Sequence, residues 1–148
     1  MPQATRSVVV NVPLEKFLSV VGDYERYPEF LPEVKKITVA NRTVSSVDVT
    51  YEIEIIKTIH YTIRITATGN TVGWKLVESN LFKKNNGSWV LRAEGPDKTH
   101  ATYNLELGFG LIPVPSAIVN KLTETSLPGL LENFRKRAES LYGPNAKT

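Results

Sequence analysis

The stretch that decides the fold reads DYERYPEFLP and runs from Asp23 to Pro32. Before it, apolar residues recur at the spacing of three and four that places them on one helical face: Leu14, Phe17, Leu18 and Val21. Pro28 and Pro32 each bias the preceding residue away from helical backbone. The sequence therefore predicts a first strand, an amphipathic helix and a second, short helical turn from Tyr24 to Leu31, followed by a long run of strands.

Beyond this stretch, apolar and polar residues alternate with the period of strands that bury one face. The inward-facing residues are Val47, Val49, Tyr51, Ile53 and Ile55, then Ile59, Tyr61, Ile63, Ile65 and Ala67, then Trp74 and Leu76, then Trp89, Leu91 and Ala93, and finally Ala101, Tyr103, Leu105, Leu107 and Phe109. Short turns separate these runs, and Asn85-Asn86-Gly87 is predicted to form a hairpin turn. The pattern predicts an antiparallel meander with one buried face.

A helix is predicted to cover that face. From Pro115 to Tyr142, apolar residues stay close to helical spacing: Ile118, Leu122, Leu127, Leu131, Phe134, Ala138 and Leu141. Pro128 lies inside this segment, and an internal proline removes a backbone hydrogen bond and clashes with the preceding turn. A kink or break is therefore expected near Leu127.

Four pieces of the sequence resemble the START and birch-pollen-allergen superfamily, in its bacterial polyketide cyclase/dehydrase branch related to coenzyme Q-binding proteins. They are Val8–Val10 leading to Asp23-Tyr24 and Tyr27–Pro32, a hairpin from Leu81–Lys84 to Ser88-Trp89, Tyr103–Leu107, and Leu127–Ala138. The resemblance implies an α+β helix-grip fold, in which a curved antiparallel sheet wraps around a long C-terminal helix and two short helices follow the first strand. It also implies an internal space for apolar ligands.

The residues expected to line that space are Tyr51, Ile53, Tyr61, Ile63, Trp74, Leu76, Trp89, Leu91, Tyr103, Leu105, Leu107, Leu122, Leu127, Leu131 and Phe134. Tyr51, Tyr61 and Tyr103 are either ordinary core or the polar groups that orient a ligand, because a buried phenol needs a hydrogen-bond partner. The apolar loop of Leu111, Ile112, Pro113 and Val114 either packs at the start of the helix or forms a lid or membrane-touching lip at the cavity mouth.

Length and composition predict a single domain over residues 1–142 and a flexible tail over 143–148. The resemblance implies that this domain is a START-like ligand-binding domain. The chain has no cysteine, which excludes disulfides, zinc-thiolate sites and thiol catalysis. No apolar run reaches the roughly 18 residues of a membrane span, and a cytoplasmic location is predicted. No cofactor or metal site is predicted. His60 and His100 both fall on the solvent-facing parity, and no residue is identified as catalytic.

Three functions are compatible with this sequence. The first is non-covalent binding, as a carrier or chaperone, of a hydrophobic small molecule such as a lipid, an isoprenoid quinone or a polyketide. The second, implied by the resemblance, is a cyclase or dehydratase acting on a polyketide-like substrate, although no motif identifies an acid/base pair. The third, also implied by the resemblance, is a ribosome-associated toxin-like protein. The toxin members of the family have a Phe-Lys-Lys and Arg-Ala pattern, which is loosely similar to Phe82-Lys83-Lys84 and Arg137-Ala138 in this sequence. A net charge of +3 with dispersed basic pairs does not favour ribosome or nucleic-acid binding.

Overall fold

The computed structural model describes residues 3–55, 57–109, 114–121 and 126–143. These residues form one seven-stranded antiparallel sheet, in the order β1-β7-β6-β5-β4-β3-β2. Its strands are β1 (Gln3–Val10), β2 (Val34–Ala40), β3 (Ser46–Ile55), β4 (Lys57–Thr68), β5 (Thr71–Ser79), β6 (Lys84–Gly95) and β7 (Lys98–Gly108). Strands β2 to β7 follow one another as a meander, and β1 joins the far side of β7. The predicted antiparallel meander is confirmed.

The described helices are α1 (Leu14–Val21), a 3₁₀ helix (Tyr24–Glu29), α2 (Ser116–Asn120) and α3 (Ser126–Tyr142). The 3₁₀ helix is the short turn predicted from the proline-punctuated stretch, and it buries Tyr24 and Tyr27. Helix α3 packs against β1 and α1. Sheet, short helices and C-terminal helix together confirm the helix-grip α+β fold.

Phe134 of α3 is the centre of the contact between helix and sheet. Its side chain is almost fully buried, and its ring lies 5.1 Å from that of Trp89, measured between centroids. The Tyr27 ring, in the 3₁₀ helix, lies 5.3 Å away on an edge-to-face approach. Such aromatic pairs stabilise the fold by more than the area they bury would predict. Phe134 therefore connects α3 to both β6 and the 3₁₀ helix.

The hairpin predicted at Asn85-Asn86-Gly87 is wrong. All three residues lie inside β6, and β5 connects to β6 through residues 80–83, where Ser79 Oγ accepts hydrogen bonds from the backbone N–H groups of Leu81 and Phe82. Gly87 is needed for a different reason: a Cβ there would lie 2.3 Å from Cζ2 of Trp74. The glycine therefore permits close approach of an indole to the strand, and it does not form a turn.

The predicted helix from Pro115 to Tyr142 corresponds to α2 and α3. The structure describes α3 from Ser126, which puts Pro128 in its first described turn, and residues 122–125 lie outside the described residues. Leu111, Ile112, Pro113, Leu122 and residues 144–148 of the predicted tail also lie outside them. Among the described helices, none has the length and apolar run that a membrane span requires.

Candidate functional site

The concave side of the sheet, α3 and the segment around the 3₁₀ helix enclose a cavity of about 150 Å³. Many of the residues expected to line an internal space lie in its wall. They are Tyr51, Ile53, Tyr61, Ile63, Trp74, Trp89, Tyr103, Leu105, Leu107, Leu127 and Phe134. They come from β3 to β7 and α3, so alternation along five strands and the apolar stripe of one helix position this wall.

Three residues expected in the wall lie elsewhere. Leu91 and Leu131 are buried in the core, and Leu76 packs against it, but none of them belongs to the described lining. Leu91 lies beyond Trp89 toward the end of β6, and α1 packs against β6 and β7. At Leu76 the strand carries a bulge, since Ile63 pairs with Leu76 and Thr62 with Glu78, and bulges re-aim side chains.

Other lining residues were not expected from the sequence. The stretch from the last residue of α1 to the first residue of β2 contributes Val21, Tyr24, Tyr27, Leu31, Glu33 and Val34, and the rest are Ile65, Val72, Phe82, Asn85 and Leu130. Ile65 shares the inward parity of Ile63 and was therefore detectable by alternation. Asn85 was not predicted to line the cavity, because its Asn-Asn-Gly context indicates a turn.

Aromatic rings form much of the wall. Tyr51 and Tyr61 stack with centroids 4.9 Å apart, and Tyr103 contacts Trp89 at 4.9 Å and Trp74 at 5.3 Å. Rings of this kind present large, rigid, mainly apolar surfaces with a polar atom at one edge. The wall is therefore suited to a flat apolar body with a small number of polar groups.

The cavity phenols are polar groups whose surroundings differ. Tyr27 donates a hydrogen bond from its hydroxyl to the carbonyl oxygen of Val21. The hydroxyls of Tyr51, Tyr61 and Tyr103 have no hydrogen-bond partner among the described residues. A polar group taken out of water without a partner is destabilising, so these three hydroxyls are available to a molecule in the cavity.

Burial keeps these phenols neutral. It raises the pKa of Tyr51 well above its usual value, and the neighbouring phenols of Tyr27 and Tyr61 raise that pKa further. Tyr61 and Tyr103 are half-buried as whole residues, yet their phenol groups are enclosed, and burial raises the pKa of both. Tyr51, Tyr61 and Tyr103 all line the same cavity, so their phenols lie in one shared region.

Charge in the lining is limited to one side chain. Glu33, half-buried just before β2, is the acidic residue of the described lining, which includes no Lys, Arg or His. Within the described residues, no group of three or more His, Cys, Asp or Glu side chains could hold a metal ion. The described lining therefore offers no cation that could pair with an anionic ligand.

Both histidines lie away from this wall. His60 is exposed, and its Nδ1 lies 3.6 Å from Oε1 of Glu52 on the neighbouring strand. His100 is half-buried, its register partners are Val9 and Arg92, and it is not among the described lining residues. The solvent-face parity predicted for His60 thus agrees with the structure, and neither imidazole contacts the cavity.

A curved antiparallel sheet closed by a C-terminal helix over an aromatic cavity is a helix-grip fold. The family described as polyketide cyclase / dehydrase and lipid transport matches residues 10–135. This chain belongs to that family.

Known proteins share both sequence and fold with the chain. It is 30% identical to the ribosome association toxin RatA of Vibrio cholerae, over 97% of this chain and 99% of that protein. A START superfamily protein from Mycobacterium smegmatis has a similar structure, with a TM-score of 0.83 and 24% identity over 95% of this chain and 99% of that one. The Zhui aromatase/cyclase of a Streptomyces species has a TM-score of 0.86, with 14% identity over 94% of each chain. These structural similarities establish the fold.

Proposed function

We propose that the protein binds a hydrophobic small molecule non-covalently in the cavity and acts as its carrier or chaperone. The observation that supports this most directly is that the buried phenol hydroxyls of Tyr51, Tyr61 and Tyr103 have no described partners in a mainly apolar wall. A few polar groups in an apolar pocket are the usual arrangement of a small-molecule site, where they fix the orientation of the ligand. The lipid-transport description of the family supports the same function.

The size of the cavity limits which part of a ligand it encloses. Its volume of about 150 Å³ is that of an engineered apolar cavity that binds benzene. The enclosed part is therefore a ring system of modest size, and the remainder of a lipid, isoprenoid quinone or polyketide would extend to the cavity mouth. The aromatic lining around Trp74, Trp89 and Tyr103 suits such a ring.

Intrinsic fluorescence offers a direct test. The chain has two tryptophans, and Trp74 and Trp89 both lie in the cavity wall. Every tryptophan signal therefore comes from the site. Ring-bearing quinones, aromatic polyketides and lipids titrated into the protein should change this fluorescence with saturation, and native mass spectrometry followed by organic extraction should identify any species bound during expression. A panel that leaves the fluorescence unchanged, together with a protein that releases nothing on extraction, would overturn the proposal.

A second candidate is an enzyme, and Glu33 is the observation that favours it. Glu33 lines the same wall as Tyr24 and Tyr51, and a carboxyl and a phenol are groups that can exchange protons with a bound ligand. The family description includes cyclase and dehydrase activity. Under this alternative the wild-type protein converts a polyketide-like substrate, and Glu33→Gln lowers turnover by about a hundredfold with little change in binding. A carrier shows binding without conversion.

A third candidate is association with the ribosome, which the similarity to RatA favours. Two basic residues of the toxin-like pattern are already paired within the chain, Lys84 with Glu106 and Arg137 with Glu29. Paired cations contribute less to phosphate binding, which depends steeply on salt. Co-sedimentation with ribosomes at low and at physiological salt distinguishes this alternative, because binding that persists at physiological salt would support it.

A further inference from the structure

Asn85 is oriented in the cavity wall by a hydrogen bond from a tryptophan. The indole Nε1 of Trp74 donates to Oδ1 of Asn85 across 3.2 Å. An indole N–H can only donate, so the amide end that it contacts must be the oxygen. The oxygen of Asn85 thereby faces Trp74, and the amide NH₂, at the other corner of the planar amide, points away from that bond.

The packing around Trp74 holds this arrangement in place. The indole lies against Gly87, where a Cβ would come within 2.3 Å of Cζ2, and the Tyr103 ring also contacts it, with 5.3 Å between centroids. An indole that cannot rotate keeps its N–H aimed at Asn85. The amide is therefore preorganised, which reduces the cost of ordering it when a ligand binds.

The amide NH₂ of Asn85 has no acceptor among the described residues. The side chain is only 5% exposed and lies in the cavity wall. Buried donors in folded proteins almost always have partners. An amide left unsatisfied at the wall of a cavity therefore indicates an acceptor supplied by the cavity's contents.

We propose that Asn85 is a specificity-determining residue whose NH₂ donates to a carbonyl oxygen at the buried end of a neutral, ring-bearing ligand. This inference rests on the proposed binding function. The tyrosine hydroxyls can donate or accept and so accommodate several ligands, whereas Asn85 has one oxygen lone pair engaged by Trp74 and two N–H donors without described acceptors, so donation is its main capacity toward a ligand. A carboxylate is disfavoured because the described lining offers Glu33 and no cation.

Three probes of nearly equal size separate these requirements: acetophenone carries a carbonyl, ethylbenzene carries no polar group, and benzoate carries a charge. Isothermal titration gives their affinities for the wild type, for Asn85→Leu and for the control Asn86→Leu. The control makes the same chemical change at the next position of β6, which faces the opposite side of the sheet and is not in the described lining. If Asn85→Leu fails to fold because the Trp74 N–H loses its acceptor, Trp74→Phe/Asn85→Leu removes both hydrogen-bonding groups.

Asn85→Leu should lower the affinity for acetophenone about three- to tenfold relative to that for ethylbenzene, the equivalent of one neutral hydrogen bond. Asn86→Leu should leave this ratio unchanged. The infrared carbonyl stretch of bound acetophenone should move to lower frequency in the wild type and in Asn86→Leu, but not in Asn85→Leu, a difference that a purely structural role would not produce. Benzoate should bind more weakly than acetophenone.

The outcomes separate this inference from the function on which it rests. If ethylbenzene binds but the ratio and the carbonyl stretch do not respond to Asn85→Leu, the donor role is overturned and cavity binding stands. If benzoate binds more tightly than acetophenone, the preference for neutral ligands is overturned. If none of the three probes binds to the wild type, the cavity-binding function fails together with the inference.

Discussion

Tyr51 and Tyr61 are register partners on β3 and β4, and their rings stack with centroids 4.9 Å apart and planes only 11° apart. Two residues directly opposite on antiparallel strands lie close enough for such contact. Because the strands hold the rings face to face, the two phenols form one stacked pair in the cavity wall. The pair contributes apolar ring surface together with two hydroxyls that have no described partner.

Removal of one of these hydroxyls should affect binding more than stability. Tyr61→Phe deletes a buried hydroxyl without a described partner, so the free energy of unfolding should change by less than about 0.5 kcal/mol. Affinity for a ligand that bonds to this hydroxyl should fall by about 0.5 to 1.5 kcal/mol. Urea denaturation and fluorescence titration measure the two quantities.

Tyr27→Phe is the matched control, because the Tyr27 hydroxyl donates to the carbonyl of Val21. Loss of that bond should lower the free energy of unfolding by about 0.5 to 1.5 kcal/mol. Equal destabilisation by the two substitutions would mean that the Tyr61 hydroxyl has a structural partner and is not reserved for a ligand.

Alkaline pH should destabilise the protein through the same phenols. Tyrosines in the unfolded chain lose their protons near pH 10, whereas burial raises the pKa of Tyr27, Tyr51, Tyr61 and Tyr103 above that value in the fold. Above pH 10 the folded state retains protons that the unfolded state has lost. The free energy of unfolding therefore has its full value below pH 10 and falls as the pH rises toward the raised pKa values.

Two measurements check this pH dependence. Tyrosinate absorbance in the folded protein should appear at higher pH than in guanidinium, and urea midpoints should decrease above pH 10. A folded protein in which all tyrosines titrate as they do in guanidinium would show that the cavity phenols are accessible to water.

The sequence predicted the fold because its pattern repeats over many residues. Alternation along β3 and β4 identified Tyr51, Tyr61 and Ile63 as inward-facing, since a one-residue error in register would expose an entire apolar set. The proline-punctuated stretch likewise identified the short helix of Tyr24–Glu29. The alternation and the proline-punctuated stretch can both be recognised from neighbouring residues alone. Tertiary packing rarely overrides such local patterns when they extend over many residues.

The site was predicted less completely, because a cavity is a property of packing. Alternation shows that Leu91 faces inward. It does not show that the cavity ends before Leu91, because that depends on how α1 packs against β6. The Asn-Asn-Gly sequence has the composition of a turn, and only the position of Trp74 explains it as a strand with a close indole contact. Glu33 and Asn85 were missed for the same reason: their roles depend on neighbours distant in sequence.

The histidines should be dispensable for binding. His60 is exposed, with its Nδ1 3.6 Å from Oε1 of Glu52, and neither His60 nor His100 is in the described cavity wall. His60→Ala and His100→Ala should therefore each leave ligand affinity, and any turnover, within about twofold, since substitutions away from a site usually change free energies by less than about 0.5 kcal/mol. A hundredfold loss in either variant would contradict the carrier function and favour a catalytic imidazole.

Gly87→Ala should destabilise the protein through its contact with Trp74. The added Cβ would lie 2.3 Å from Cζ2 of Trp74 and 2.4 Å from the backbone oxygen of Asn104, so the indole and the neighbouring strand must both move. Overpacking of this kind costs about 1 to 3 kcal/mol or more, and displacement of the indole should also break its hydrogen bond to Asn85 and shift the tryptophan emission.

Gly73→Ala is the matched control on the adjacent strand, where the nearest atom to an added Cβ is the Gly87 backbone oxygen at 3.7 Å, an ordinary contact. It should change the free energy of unfolding by less than about 0.5 kcal/mol and leave the emission unchanged. Urea denaturation followed by fluorescence measures both effects in one experiment. If the two variants unfold at the same urea concentration with unaltered emission, the close packing of Trp74 on β6 does not exist, and the orientation of Asn85 loses its physical basis.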